Sequence, residues 1–357
     1  MPSSPESPLP PTPEAALAQG RWVKLICGAG NQDLAAIEDL CAIYTLAGVH
    51  CIDVAADAAV AAAARRGIAW GMERRSNAEA PWLMLSLSDG DDPHFRKAAF
   101  DPSRCPTDCP RPCQRVCPAL AIGDEGGVLQ ERCYGCGRCL PACPLGLIEE
   151  QQVLLSAAAV PALLQAVRPE AVELHTQAGR QAGFAERLRQ LQASGVPMQR
   201  LAVSCGLERG AQGRVSASGA ALPPALTARE LASELWQRHG QVRAAGYRPL
   251  WQLDGRPMSG DVGAGTARAA VKLLEQIRPW APPGPLQLAG GTNGNTLALL
   301  PAASGAAGVA FGGVARSLLQ PLLQEAERQG QPLRELPALR AQALELARGH
   351  RPPAPAF

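Results

Sequence analysis

Eight of the chain's 12 cysteines fall between residues 105 and 143, and few folds tolerate such a density of thiols. Disulfides are one reading. The N-terminal stretch MPSSPESPLPPTPEAALAQG, however, has neither a basic start nor an apolar run, so it reads as a disordered leader over residues 1–20 rather than an export signal. The chain is therefore expected to be cytoplasmic, where clustered cysteines point to metal ligation.

The second run is Cys133-Tyr-Gly-Cys136-Gly-Arg-Cys139-Leu-Pro-Ala-Cys143-Pro144. This is C-x2-C-x2-C-x3-C-P, the spacing of two-cluster bacterial ferredoxins, in which the fourth cysteine serves the other cluster. Three thiolates two residues apart on a tight loop can reach three corners of one cubane. Gly135 and Gly137 permit positive φ, which turns backbone N–H groups towards sulfur. The first run, Cys105-Pro-Thr-Asp-Cys109-Pro-Arg-Pro-Cys113-Gln-Arg-Val-Cys117-Pro118, ends in the same C-x3-C-P after wider gaps. Residues 124–127 supply a turn between the halves. Crossed ligation follows from the repeat. One cluster is expected on Cys133, Cys136, Cys139 and Cys117, the other on Cys105, Cys109, Cys113 and Cys143. Both are read as [4Fe–4S], with [3Fe–4S] as the alternative at the wider-spaced site. Zinc is the competing metal, but zinc sites come as separated pairs without a repeated C-x3-C-P. Arg104, Arg111, Arg115, Arg132 and Arg138 are read as offsetting cluster charge.

Outside this module, apolar runs alternate with helical patterns. Strands are expected at 23–27, 49–54, 82–87, 171–174, 201–204, 248–253, 285–289 and 308–311. Helices are expected near 34–47, 58–66, 154–167, 182–193, 227–245, 266–277, 296–303, 315–329 and 336–347. Eight such alternations predict a (β/α)8 TIM-like barrel with an inserted two-cluster ferredoxin-like module; an open doubly wound sheet is the runner-up. The domains follow: barrel over 21–100 and 151–330, insert over 101–150, and a helix with a Pro-rich tail over 331–357. Hydrophobic residues make up 46% of the chain and aromatics 4%, so Leu, Val, Ile and Ala must fill the core. The net charge of +2 and the lack of a basic tract argue against a nucleic-acid partner. No apolar run approaches the roughly 20 residues of a membrane span.

A barrel of this kind presents its strand C-terminal ends as one mouth, where Cys27, Asp53, Glu173, His175, Cys205, Asp254 and Thr292 are expected. The Gly-rich turns Gly290-Gly291-Thr292 and Gly312-Gly313 are candidates for cradling a phosphate or flavin, with plain tight turns as the alternative. Residues 253–261 form a polar loop that could cover the mouth. Cys27 and Cys205 are candidate redox thiols, Cys41 a buried apolar residue, and His50 and His239 structural.

Several segments together resemble one family. They are Arg21-Trp-Val-Lys-Leu-Ile-Cys-Gly-Ala, Ala47-Gly-Val-His-Cys-Ile-Asp-Val-Ala-Ala-Asp, Pro81-Trp-Leu-Met, Asp92-Pro-His-Phe-Arg-Lys, the cysteine runs, residues 252–261 and Ala289-Gly-Gly-Thr-Asn293. They are similar to the cyanobacterial light-dependent period (LdpA) family, over about residues 21–329. The resemblance implies an iron–sulfur protein that senses redox state, modulates circadian period with light and associates with clock input components. It implies no catalysed reaction. The expected function is thus a redox-responsive regulator exchanging electrons with a quinone or ferredoxin pool. The alternatives are an oxidoreductase feeding a flavin or substrate at the mouth, and a scaffold stabilised by its clusters.

Overall fold

Short apolar strands that alternate side chains inward and outward close on themselves here into a cylinder. In this computed structural model the described residues are 11–75, 78–152, 155–208, 225–256, 263, 265–301 and 303–349. The strands are β1 (Trp22–Ile26), β2 (Cys51–Ala55), β3 (Trp82–Ser88), β4 (Arg96–Ala99), β5 (Glu149–Gln152), β6 (Ala171–His175), β7 (Arg200–Gly206), β8 (Pro249–Asp254), β9 (Leu286–Ala289) and β10 (Gly308–Phe311). All but β4 and β5 join a closed, parallel barrel in the order β1-β10-β9-β8-β7-β6-β3-β2. The barrel class read from the sequence holds, and the open sheet is excluded. Strands β4 and β5 pair antiparallel with each other, Ala99 opposite Glu149.

The helices are α1 (Pro13–Ala18), α2 (Leu34–Ala47), α3 (Ala58–Met72), α4 (Pro112–Arg115), α5 (Cys139–Ala142), α6 (Ala159–Val167), α7 (Gln181–Ser194), α8 (Ala228–Ala244), α9 (Ala267–Ile277), α10 (Thr296–Leu299), α11 (Gly313–Arg328) and α12 (Pro337–Arg348). Their starts follow local chemistry. Asp33 accepts from Ala36 N to cap α2, Asp57 caps α3, and Thr227 and Glu230 form a reciprocal capping box on α8. With few aromatics available, α2 and α3 close their gap by small residues. A Cβ at Gly67 would stand 2.2 Å from the carbonyl oxygen of Glu38. Helix α10 stops at Leu299, short of the expected 303, because Pro301 follows within two residues.

One core fills the space between strands and helices, including Leu25, Val54, Leu85 and Val203. A second plugs the barrel floor with Trp22, Trp82, Met84 and Leu250. Leu17 of α1 belongs to that plug, with Ala16 and Leu17 both buried. This corrects the leader reading: residues 13–18 fold because two apolar side chains seal the floor, while Glu14 pairs with Arg200 and Arg248. Residues 1–10 and the Pro-rich end from 350 lie outside the described residues. Helix α12 packs on the barrel's outer layer with Ala343 and Ala347 buried.

Candidate functional site

Residues 89–170 run between β3 and β6 and carry all eight clustered cysteines. The two halves of the sequence repeat adopt the same local geometry. Ala121 N donates to Cys117 Sγ at 3.2 Å and Leu147 N to Cys143 Sγ at 3.4 Å, each four residues on. Three residues past each of these cysteines the backbone turns left-handed, at Leu120 (φ 52°) and Gly146 (φ 60°). An isolated bridge between Ile122 and Val128 closes the turn between the halves. Gly135 and Gly137 take φ of 75° and 76°, as their place in the second run requires.

The thiols gather in two sets. Burial and then the nearby Cys109 and Cys143 thiols raise the Cys105 thiol. Burial also raises Cys113, with Cys143 and Cys105 adding to the effect. On the other side, burial and the neighbouring Cys136, Cys117 and Cys133 push Cys139 up to about 12. Burial raises Cys136, with Cys117 and Cys133 adding to it. Burial pulls Cys143 up, but backbone N–H groups of Leu147, Leu145, Ile148 and Gly146 outweigh it and hold the thiol below its ordinary value. Ala98 N donates to Cys133 Sγ at 3.4 Å. Thiols facing N–H donors on a loop of positive-φ glycines suit an anionic sulfur-rich cluster. The 117/133/136/139 set is the more buried, with Cys133 and Cys139 enclosed. The 105/109/113/143 set is the outer one, and Cys113 alone of its four is buried.

The arginines near the cysteines do not share one role. Arg132 pairs with Glu327 of α11 and lies 3.8 Å from Asp33, so it ties the insert to the barrel. Tyr134, between Cys133 and Cys136, packs under the Arg316 guanidinium at 4.0 Å, and Arg316 in turn donates to Ile26 O at 2.7 Å. Lys97 donates to Gln32 at 2.7 Å, and Gln32 N donates to Glu131 O at 2.9 Å.

These contacts leave a recess of about 970 Å³, open to solvent, between insert and barrel mouth. Glu173, His175, Asp254 and the candidate residues Gly290, Gly291, Thr292, Gly312 and Gly313 line it, with Cys136 and Arg138 on the insert wall. The Gly290–Gly291 turn also has a packing cause: φ is 55° and 86°, and a Cβ on Gly290 would meet Arg256 O at 2.6 Å. Cys27 and Cys205, expected at the mouth, point instead into the core between strands and helices. His50 is structural: its Nδ1 accepts from Val23 N at 3.1 Å. Residues 257–261 of the polar loop lie outside the described residues.

Below the recess runs a buried polar network that the sequence reading did not assemble. Lys24 Nζ bonds Asp53 at 3.1 Å and Glu173. Ser86 Oγ donates to Asp53, and Gln252 Nε2 to Glu173 at 2.7 Å and Ser204 at 3.0 Å. Gln287 Nε2 donates to Gln252, and Trp22 Nε1 to Gln287. Burial raises the Asp53 carboxyl to about 6 despite Lys24. Burial pulls Glu173 up too, but Lys24 and His175 outweigh it and hold the carboxyl well below the usual range. Burial lowers His175, yet Glu173 outweighs it and lifts the imidazole to about 9. The signal was present as polar residues at alternate positions of apolar strands, as in W-V-K-L-I and L-W-Q-L-D. Burial works against the charge on Lys24, but Asp53 and Glu173 outweigh it and raise the ammonium above its ordinary value, with no exposure to solvent.

Comparison with known proteins decides the family. Residues 105–154 match the model for the LdpA Fe-S cluster-binding domain, and residues 163–350 match the Light dependent period A C-terminal domain. "Light dependent period A" of Synechococcus elongatus is 45% identical over 343 residues, covering 94% of this chain and 91% of that protein. The chain belongs to the LdpA family. It therefore carries an iron–sulfur cluster-binding domain, as the cysteine spacing predicts. Among solved structures, the YdjI aldolase of Escherichia coli K12 aligns at 8% identity with a TM-score of 0.43, over 94% of this chain and 90% of that one. The (S)-3-O-geranylgeranylglyceryl phosphate synthase of Thermoplasma acidophilum aligns at 10% and 0.40, over 95% and 99%. The barrel of this LdpA chain rests on its own strand ladder. Among the described residues, no helix is long and apolar enough to cross a membrane.

Proposed function

We propose that this LdpA-family protein is a redox-responsive regulator whose insert, over residues 101–150, is a two-cluster ferredoxin-like module. Cys117, Cys133, Cys136 and Cys139 hold one cluster and Cys105, Cys109, Cys113 and Cys143 the other. Both are [4Fe–4S], with the wider-spaced outer site the one that drops to [3Fe–4S]. Bound there, the clusters supply one-electron chemistry at physiological potentials. The observation that carries this reading is the gathering of the thiols into two crossed sets with matching N–H donation in both halves of the repeat. Tyr134 and Arg132 lie next to cysteine ligands and touch α11 and the β1–α2 turn, so a changed insert charge is felt by the barrel surface. Partners are then protein components of clock input, and a quinone or ferredoxin is the electron source.

Anaerobic purification with iron and sulfide counting, and EPR before and after reduction, tests the clusters. Eight iron and eight sulfide per chain are expected. A redox titration with no change in cluster state across physiological potentials overturns the sensing role.

One feature favours a second reading. Cys136 shares the recess with Gly290, Gly291, Thr292, Gly312 and Gly313, the arrangement an oxidoreductase would use to bring a cluster beside a flavin or substrate. Protein purified without flavin, and without affinity for one, counts against this version.

A further inference from the structure

Three side chains at the barrel lip have no part in the cysteine sites. Asp92 and His94 come from the turn after β3, and His175 ends β6. One ligand atom of each lies within 4.8 Å of the other two, the sole such group of His, Cys and acidic residues among the described residues. Asp92 and His175 are buried, and both histidines line the recess.

The group is held by contacts that also fit ligation. Asp92 Oδ1 accepts from His94 N at 2.8 Å and lies 2.7 Å from His94 Nδ1. The two imidazole centroids stand 4.8 Å apart, and Phe95 packs edge-on to His175 at 5.3 Å. Glu173 Oε1 lies 2.9 Å from His175 Nε2, and Glu173 is itself fixed by Lys24 and Gln252. A carboxylate behind one ring nitrogen of a histidine sets the tautomer and presents the other nitrogen, the arrangement that metal-bound histidines use. Two imidazoles and one carboxylate form a nitrogen–oxygen donor set. It suits a divalent first-row transition ion, and neither calcium, which wants oxygen alone, nor a thiolate-bound cluster.

We propose that Asp92, His94 and His175 form a mononuclear divalent transition-metal site at the lip of the barrel, distinct from the cysteine clusters. Three protein ligands leave a position open towards the recess, where a small oxygen-bearing molecule would complete the coordination. The competing arrangement is a purely hydrogen-bonded cluster in which protons sit where the cation would be.

The test uses full-length, cluster-loaded protein prepared anaerobically, with zinc as the probe. Zinc is counted beside iron and sulfide, and its neighbours are read by X-ray absorption at the zinc edge. The expected result is one tightly held zinc per chain with a nitrogen–oxygen shell at about 2.0–2.1 Å. Binding should weaken at least about tenfold in His94→Ala and in Asp92→Asn, with iron and sulfide unchanged. Because His94 is partly exposed, its truncation leaves the barrel core intact, and Asp92→Asn retains an acceptor for His94 N. Failure to retain zinc, a sulfur shell at about 2.3 Å, or equal affinity in both variants overturns the proposal. The iron and sulfide count reports on the cysteine sites separately, so the two readings fail independently.

Discussion

At Gly135 a Cβ would stand 1.9 Å from the carbonyl oxygen of Arg96, whereas at Gly137 the nearest atom is Glu150 Oε1 at 3.9 Å. Both glycines have the same φ, so an alanine pair separates backbone strain from collision. Gly137→Ala should cost about 1–2 kcal/mol in chemical denaturation and still load both clusters. Gly135→Ala must push β4 away and is expected to lose about half the iron and sulfide, leaving the outer site filled. Lys24 offers a second residue-level test. Its removal in Lys24→Met strips Asp53 of its ammonium and leaves Glu173 with the His175 imidazole as its one remaining basic partner, at a cost of about 3–5 kcal/mol. An unchanged urea midpoint would show that the network tolerates an apolar replacement. Neither outcome was legible beforehand in full. The spacing of Cys133, Cys136 and Cys139 announced the glycine conformations, because three cysteines two residues apart on one loop leave room only for tight turns. Lys24 stood visibly in an apolar strand, but its partners Asp53 and Glu173 come from other strands, and only barrel closure brings them together.

The elements follow the same division. All eight barrel strands sit within two residues of their expected ends, because runs of β-branched and apolar residues bounded by turns mark strands locally. The short helix α1 was missed for the opposite reason: six residues make no stable helix alone, and Leu17 is ordered by a floor built from distant strands. How the insert docks was equally hidden, since Tyr134 meets Arg316 and Arg132 meets Glu327 across nearly 200 residues of chain. These contacts predict that Tyr134→Leu, which removes a half-sheltered cation–π pair worth about 1–2 kcal/mol, speeds amide exchange within residues 128–140 about five- to thirtyfold. Exchange in β7 and β8 should stay as in the parent. Equal acceleration in those strands would mean that the tyrosine stabilises the whole fold, not the docking.

For the molecule as a whole, the barrel and the cysteine region do different work with different cores. The barrel is sealed by two apolar clusters, whereas the insert gathers its own small cluster of Ala98, Ala121, Ile122, Ile148 and cysteine side chains. So few apolar groups cannot order some fifty residues unaided, and ligation must supply the remainder. Stripping iron with a chelator under air should open residues 105–148 to proteolysis while the far-ultraviolet spectrum of the barrel persists. Loss of both together would contradict this division. The path of the chain through β4 and β5 has one more outcome. Both covalent links leave the barrel along a single antiparallel ladder, while the remaining fastenings described, on α11 and the β1–α2 turn, are an ion pair, a cation–π pair and hydrogen bonds through Gln32. A body attached in that way is a flap with a latch, and salt weakens the latch but not the hinge. Moderate ionic strength would then set how often the iron-bearing flap swings clear of the recess that it roofs.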